Sequence, residues 1–394
     1  MDVDIPAIPA SYDEYRDRLR AFIADHKPQL GWKPRAGLRV PEDPDDVDVL
    51  RSWVRALYDA GYSSPVHSLG TSDPFEGRIL GEELGRTGIP SILGNPLVAS
   101  AIAQYGTDEQ REAYLPNIAN GAHIWTQLFS EPDAGSDLTS LKTRAERDGD
   151  HFVVNGQKVW STWAQFADYG YLLARTEPVP GSAGITAFIL DMRSPGVTTR
   201  PLREITGTTD FNEVFLDDVV VPAENVIGTP GEGWRIASFS LSQERGNVGG
   251  GGTGDSIHGL IHLARERRIE GRPAIDDRAI RQDIGRFAAR ARIQRYLGYS
   301  VATKAAAGTI TAADAPITKI WFSELNLEMA EFAMALEGPR GALVEGDELA
   351  VEDGRWQDAF LYARAWTIAG GSNEIMRNLI AERGLGLPRE PRGA

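Results

Sequence analysis

Four short stretches of this 394-residue chain combine residue types that could do chemistry. Gln127-Leu128-Phe129-Ser130-Glu131-Pro132-Asp133-Ala134-Gly135-Ser136-Asp137 is rich in small residues, which let a backbone come close to a ligand. Ser130 and Ser136 add hydroxyls and amides for the polar edge of a ring. The same stretch also reads as a turn-rich loop entering a β region. Trp160-Ser161-Thr162-Trp163 puts an aromatic face beside hydroxyls, suited to stacking on a planar group, or to a strand with one tryptophan turned inward. In Ala369-Gly370-Gly371-Ser372-Asn373-Glu374, two glycines precede Ser or Asn at a helix start, where free N–H groups can face an anion such as a pyrophosphate. A capped helix after a tight turn has the same signature. Last, Ser242-Gln243-Glu244-Arg245-Gly246-Asn247-Val248 runs into Gly249-Gly250-Gly251-Gly252. A single glutamate on a helix is ordinarily solvated. The glycines are either a flexible loop or a wall stripped of side chains to make room for a large ligand.

Composition narrows the chemistry further. There is no cysteine, so disulfides, thiolate metal ligands, Fe–S ligation and a cysteine nucleophile are all excluded. The 6 histidines are scattered with no HExxH-type pair, and no metal site is expected. What remains is carboxylates, hydroxyls, backbone amides or a bound organic cofactor. With 41 basic against 56 acidic residues the net charge is −15, which disfavours nucleic acid but leaves room for a local basic pocket. No apolar run approaches the roughly 18 residues of a membrane span. The acidic start Met1-Asp2-Val3-Asp4 leads into a helix pattern without a signal or transit peptide, so a cytoplasmic location is expected.

The elements that must position these stretches follow from periodicity. Ser11-Tyr12-Asp13-Glu14 reads as a capping box ahead of Tyr15, Leu19, Phe22 and Ile23. Asp73-Pro74 and Thr107-Asp108-Glu109-Gln110 mark further helix starts. From about residue 124 the period changes. Asn155-Gly156 predicts a hairpin between His151–Val154 and Gln157–Trp160, and β-rich runs follow at Tyr171–Leu173, Ile185–Leu190 and Val214–Val221. This pattern predicts a small antiparallel barrel or sandwich. After Gly233-Trp234 the helical period returns. Ile280, Ile284, Phe287 and Ala291 form one apolar stripe; Ile317, Ile320, Trp321, Leu325, Met329, Phe332 and Leu336 form another, and together they predict a bundle.

Taken in order, SEPDAGSDLTSLKT, VVNGQKVWST, NEVFLDDVVVPAENVIG and IAGGSNEIMRNLIAERGLGLPR resemble the sequence blocks of the acyl-CoA dehydrogenase family at near-standard spacing. The likeness covers nearly the whole chain and is closest to the actinobacterial branch, some of whose members handle sterol-derived side chains. It implies an α+β multidomain fold: an N-terminal α-helical domain (1–123), a central antiparallel β-barrel (124–232) and a C-terminal four-helix bundle (233–394). It also implies FAD, an acyl-CoA substrate and an electron-transfer flavoprotein as acceptor. By motif position Gln127, Phe129, Ser130 and Ser136 would line the flavin, with Ser136 also near CoA. Trp160, Ser161 and Thr162 would flank the ring's other side, and Ser372 and Glu374 would meet the cofactor.

The family's reaction takes a proton from the thioester α-carbon while the β-hydrogen leaves as hydride to flavin N5. One donor to the thioester oxygen would be the N–H of Gly370, the other a flavin ribityl hydroxyl. Many members carry the catalytic glutamate where this chain has Gly370. A minority, resembling the isovaleryl- and long-chain-specific enzymes, carry it on an earlier helix just before an arginine, the place of Glu244-Arg245. Glu244 is therefore the expected base, and Arg245 supports it or pairs with a distant carboxylate. Arg245, Gly246, Gly249 and Gly250 would border the acyl group, and the missing side chains suggest a bulky or branched one. Arg267 matches an arginine offered to a neighbouring subunit's FAD, but Glu270 replaces the expected aromatic and Ala335–Ala342 has lost a Gln and a Gly. The expected assembly is a homotetramer or an α2β2 heterotetramer with a paralogous subunit. The competing readings are an FAD- and acyl-CoA-binding subunit with little activity alone, and a flavin oxidase or monooxygenase of the same superfamily.

Overall fold

The computed structural model describes residues 8–31, 40–63, 73–90, 96–247 and 254–389, with only the backbone of 96, 243–247, 254 and 255. Helices come first: α1 (Asp13–His26), α2 (Pro44–Asp59), α3 (Pro74–Gly85), α4 (Pro96–Tyr105) and α5 (Asp108–Ala119). Asp73 caps α3, its carboxylate accepting the Phe75 N–H with Pro74 in the first turn. Thr107 and Gln110 form a reciprocal capping box on α5. Both starts were legible in the residues. The one expected at Ser11 is not formed. A 3-10 turn at Ala10–Tyr12 occupies those residues, and α1 starts at Asp13 without a side-chain cap.

Eight strands come next: β1 (Trp125–Leu128), β2 (Arg144–Asp148), β3 (His151–Lys158), β4 (Tyr169–Arg175), β5 (Ile185–Asp191), β6 (Val197–Leu202), β7 (Phe211–Pro222) and β8 (Val226–Ile227). They form one sheet in the order β6-β7-β3-β2-β4-β5-β8, with β1 also on β4. Two expectations need correction here. The sheet is mixed, since β1 and β2 both run parallel to β4. Nor does any ladder join β6 to β8 among the described residues, so the barrel is not closed. β1 and β2 share one edge of β4. The first pairs with Tyr169–Leu172, the second takes over at Arg175, and residues 129–143 bulge out between them.

The predicted hairpin is also displaced. Asn155-Gly156 lies inside β3, which continues through it as a bulge against β7. The turn is instead Gly149-Asp150, between the paired Asp148 and His151. Asn155 is used sideways: its amide donates to Asp218 Oδ1 at 3.0 Å and its Oδ1 accepts the Asp218 N–H at 3.0 Å.

The sheet curves around its own core of Phe152, Leu172, Phe188, Val214 and Val219. Its outer face packs Tyr171, Leu173 and Ile189 against Val98 and Ile102 of α4 and Ile236 of α6 (Gly233–Asn247). Beyond lie α7 (Gly254–Glu266), a short hairpin of β9 (Arg268–Ile269) and β10 (Arg272–Pro273), then α8 (Arg278–Ala306), α9 (Asp314–Glu337), α10 (Arg355–Ile368) and α11 (Asn373–Leu379). Leu260, Phe287, Leu325 and Trp356 place α7 to α10 around one core. The expected α9 stripe is only half right. Leu325 and Met329 are buried, whereas Ile317 is exposed and Lys319 and Ser323 take buried positions instead.

Candidate functional site

The bulge between β1 and β2 and the segment after β3 are brought together. The Val159 N–H donates to the Ser130 carbonyl at 2.9 Å, and the Thr126 hydroxyl donates to the Thr162 carbonyl at 2.8 Å. Gln127 and Ser130 are half-buried; Phe129 is buried with its ring 4.8 Å from that of Tyr171. Trp160 has φ 61° and leaves 59% of its surface exposed, with its edge on Phe211. A left-handed backbone is unfavourable for a bulky residue, so the surroundings impose it. They do so through Ser161, whose N–H donates to Asn212 O at 3.1 Å while its carbonyl accepts Asn212 Nδ2 at 3.0 Å. The Ser161 hydroxyl is fully buried and has no hydrogen-bond partner among the described residues. Ser136 lies exposed further along the bulge.

Sequence reading missed what holds this arrangement. Glu131 and Lys158 form a buried ion pair at 2.8 Å. Lys158 also donates to the Phe129 carbonyl at 3.1 Å, and Glu131 accepts the N–H groups of Lys142 at 2.6 Å and Thr143 at 2.9 Å. One carboxylate thus closes both ends of the bulge. Burial pushes the Lys158 ammonium down to about 8, while Lys158 and these N–H donors hold Glu131 below its usual range despite burial. The available signal was a lysine at the end of a strand whose other core-facing positions are Phe152 and Val154.

Arg175 is a second missed residue. It donates to the carbonyls of Thr139 at 2.9 Å, Ala183 at 3.0 Å and Gly181 at 3.2 Å, with no carboxylate among the described residues to neutralise it. It lines a surface cleft of about 470 Å³ with Ser140, Leu141, Pro178 and Pro180, beside the bulge.

From the C-terminal side, α6 begins with Gly233 pressed against β5; an added Cβ would lie 2.6 Å from the Thr186 carbonyl carbon. Seven residues on, the Ser240 hydroxyl lies 3.4 Å from that of Tyr171. Glu244 stands one helical turn beyond Ser240 on α6, which also packs on α9. The side chains of Glu244 and Arg245 and the surroundings of Gly246 lie outside the described residues, as do Gly249 and Gly250 altogether. Gly370 (φ 67°) and Gly371 (φ 93°) form a left-handed turn into α11, capped by Ser372, whose Oγ accepts the Ile375 N–H at 3.3 Å. Glu374 is exposed near Arg377. Among the described residues, no hydrogen bond joins this turn to the Gln127–Thr162 group.

Arg267 does not project as a free cation. Its guanidinium donates to the carbonyls of Leu336 at 3.4 Å and Glu337 at 2.9 Å at the end of α9. Glu270 (φ 49°) and Gly271 (φ 77°) make the β9–β10 turn. Glu337 is buried with Oε1 unpartnered; burial and Glu352 push its carboxyl up to about 7.

Helices, a curved mixed sheet and a helical core make up a three-part α–β–α protein. Comparison with known proteins gives the family. Residues 11–122, 126–219 and 231–385 match the acyl-CoA dehydrogenase N-terminal, middle and C-terminal domains respectively. The chain belongs to the acyl-CoA dehydrogenase family, oxidoreductases that are flavoproteins of fatty acid or steroid β-oxidation. It is 36% identical to the acyl-CoA dehydrogenase IpdE1 of Mycobacterium tuberculosis, across 97% of this chain and 99% of that one. Among solved structures it resembles the Tcur3481-Tcur3483 steroid ACAD, with TM-score 0.83 and 28% identity over 99% of this chain and 100% of that one. The ChsE4-ChsE5 complex from Mycobacterium tuberculosis matches with TM-score 0.83 and 27% identity, covering 99% and 100%. No described helix is long and apolar enough to cross a membrane.

Proposed function

We propose that this chain is an FAD-dependent acyl-CoA dehydrogenase that forms a trans-2-enoyl thioester from a bulky or branched acyl-CoA, with Glu244 as base. The three-way division at 1–123, 124–232 and 233–394 belongs to this reading, as does a barrel-like role for the curved sheet. The observation that carries it is the convergence of Gln127–Ser130 with Trp160–Thr162, where a buried hydroxyl has no partner and an indole face is left open. Those features fit a planar, polar-edged group: Trp160 would stack, while Ser130, Ser161 and Thr162 would bond its edge. Ser372 and Glu374 would contribute from the bundle side. Bound FAD supplies the hydride acceptor.

The rest falls to the chain itself. Glu244 takes the α-proton, and this requires a site dry enough for its basicity to suit a weak carbon acid. The Gly370 N–H donates to the thioester oxygen and stabilises the negative charge that develops there. Arg175 gives the cleft beside the bulge a positive potential that suits the phosphates of CoA, with Ser136 near its entrance. Arg245, Gly246, Gly249 and Gly250 border the acyl group. The likeness to the Tcur3481-Tcur3483 steroid ACAD supports a bulky acyl chain, and an electron-transfer flavoprotein as acceptor belongs to the same reading.

The decisive comparison is wild type against Glu244→Gln, with flavin content measured and a panel of straight-chain and ring-bearing acyl-CoAs. The variant should keep its flavin and lose about 10³-fold or more in turnover. Near-normal turnover would place the base elsewhere. Equal use of octanoyl-CoA and a steroid-side-chain CoA would remove the bulky-substrate part. Rapid reoxidation of substrate-reduced protein by air would favour an oxidase or monooxygenase instead.

A second reading has its own observation. Because Arg267 is committed to its own chain's carbonyls, the half-site offered to a neighbour is weakened, which favours an α2β2 assembly with a paralogous subunit over a homotetramer.

A further inference from the structure

We propose that Lys319 is a positioning residue for the Gly370-Gly371 turn, which it holds in place through Asn373. The inference rests on the reading that the Gly370 N–H faces the thioester oxygen, and it adds the element that fixes this N–H in direction.

Lys319 has no exposed surface, and its ammonium donates to Asn373 Oδ1 at 2.8 Å. Ser323, four residues further along α9 and equally buried, lies 3.0 Å from the same oxygen, its one hydroxyl proton shared between it and the Ile320 carbonyl at 3.1 Å. Two donors from one helix thus meet at one amide oxygen. A buried ammonium is costly and is ordinarily matched by a carboxylate. Among the described residues Lys319 has none in ion-pair contact: Glu324 and Glu374, the acids that act on it, both lie against Arg377. Burial outweighs them and lowers the ammonium to about 8. Its core neighbours Phe322, Leu325 and Met329 show what simple filling of this face would use. A lysine that crosses the core to reach one side-chain amide acts as a strut.

That strut ends beside the glycine turn. Asn373 directly succeeds the cap residue Ser372, itself preceded by two left-handed glycines. Gly371, at φ 93°, sits over Met376, whose Cε would lie 2.5 Å from an added Cβ. Gly370, at φ 67°, has no side chain of its own to anchor it, so its N–H takes its direction from the capped start of α11. Asn373 therefore passes the position of α9 to the turn.

The test uses the full-length protein in its native assembly, with hydrogen exchange of the peptide spanning 366–379 read beside kcat and KM for the best acyl-CoA of the panel. Lys319→Met and Asn373→Ala should each speed exchange at the turn by about 10-fold or more, with protection elsewhere retained. Both should lower kcat by up to about 10²-fold while KM changes little. Asn373→Asp, which preserves an acceptor for the ammonium, should recover most of what Asn373→Ala loses. If Lys319→Met does not fold, Ser323→Ala removes the second donor more gently and should shift exchange in the same direction. Unchanged exchange at the turn in folded variants overturns the proposal, as does an Asn373→Asp protein as impaired as Asn373→Ala. Faster exchange with unaltered kcat also overturns the role in catalysis, and it then points to a wrong assignment of Gly370 rather than a missing strut.

Discussion

Lys158 has no exposed surface, yet it carries the charge that lets Glu131 gather both ends of the bulge. Removing one partner of such a pair strands the other charge in the interior. Glu131→Gln should therefore cost about 3–5 kcal/mol in denaturant unfolding, and Glu131→Gln with Lys158→Met should recover part of it. A double variant no better than the single would show that the backbone bonds to Glu131, not the charge pair, dominate. The pair also gives acid sensitivity. Glu131 is held below its usual 4.5, so its stabilisation is complete above that pH and is lost as pH falls through the folded value. Glu337 has the opposite sign. Its carboxyl is raised to about 7, so folding stability declines as pH rises from 4.5 to 7. Glu337→Gln should be more stable than wild type by about 1–3 kcal/mol at pH 8 and indistinguishable from it near pH 4. Equal unfolding midpoints at pH 8 would contradict this. At this scale the sequence singled out Gln127–Ser130 and Trp160–Thr162, because their residue types are unusual in combination, and the structure brings these two segments together. Glu131, Lys158, Lys319 and Arg175 stayed hidden, because a buried charge is recognisable only once its partner from a distant segment is known.

Elements were legible where local bonds decide them. Asp73 and Thr107 cap helices because the side chain and its N–H partner lie within three residues. Asn155-Gly156 misled for the same reason: a dipeptide suited to a tight turn was overridden by the partner strand β7, which runs past it. The glycine is required there for room rather than for turning. A Cβ at 156 would lie 2.7 Å from Thr143 Cβ and 2.8 Å from its Cα. Gly156→Ala should thus destabilise by about 1–3 kcal/mol, with Thr143→Ala relieving only part because the backbone contact remains. An unfolding curve superimposable on wild type would mean that β2 shifts freely.

The α–β–α order was readable from changes in period, whereas the open, mixed sheet was not, since strand partners separated by dozens of residues leave no local trace. An apolar core shared by α4, the sheet and α6 joins the parts, and one ionic contact links the first helices to the bundle. Glu82 of α3 pairs with Arg16 of α1 at 3.2 Å and Arg295 of α8 at 3.6 Å, and Glu83 takes Arg16, Arg20 and Arg86. The proposed α2β2 assembly rests on the corner where Arg267 bonds to its own chain's carbonyls. Expressed alone, the chain should bind less than one FAD per subunit and fail to hold a tetramer, as read by native mass spectrometry and flavin absorbance. A stable homotetramer with full flavin would restore the homomeric alternative.

Because β1 has β4 as its sheet partner, with Trp125 opposite Tyr169, the nascent chain leaves the ribosome with that strand unmatched. At about 5–20 residues per second, several seconds pass before the matching segment emerges. During that interval Leu128, all of whose core neighbours lie later in the chain, is uncovered, so translation speed and chaperone supply should affect the soluble yield of this protein.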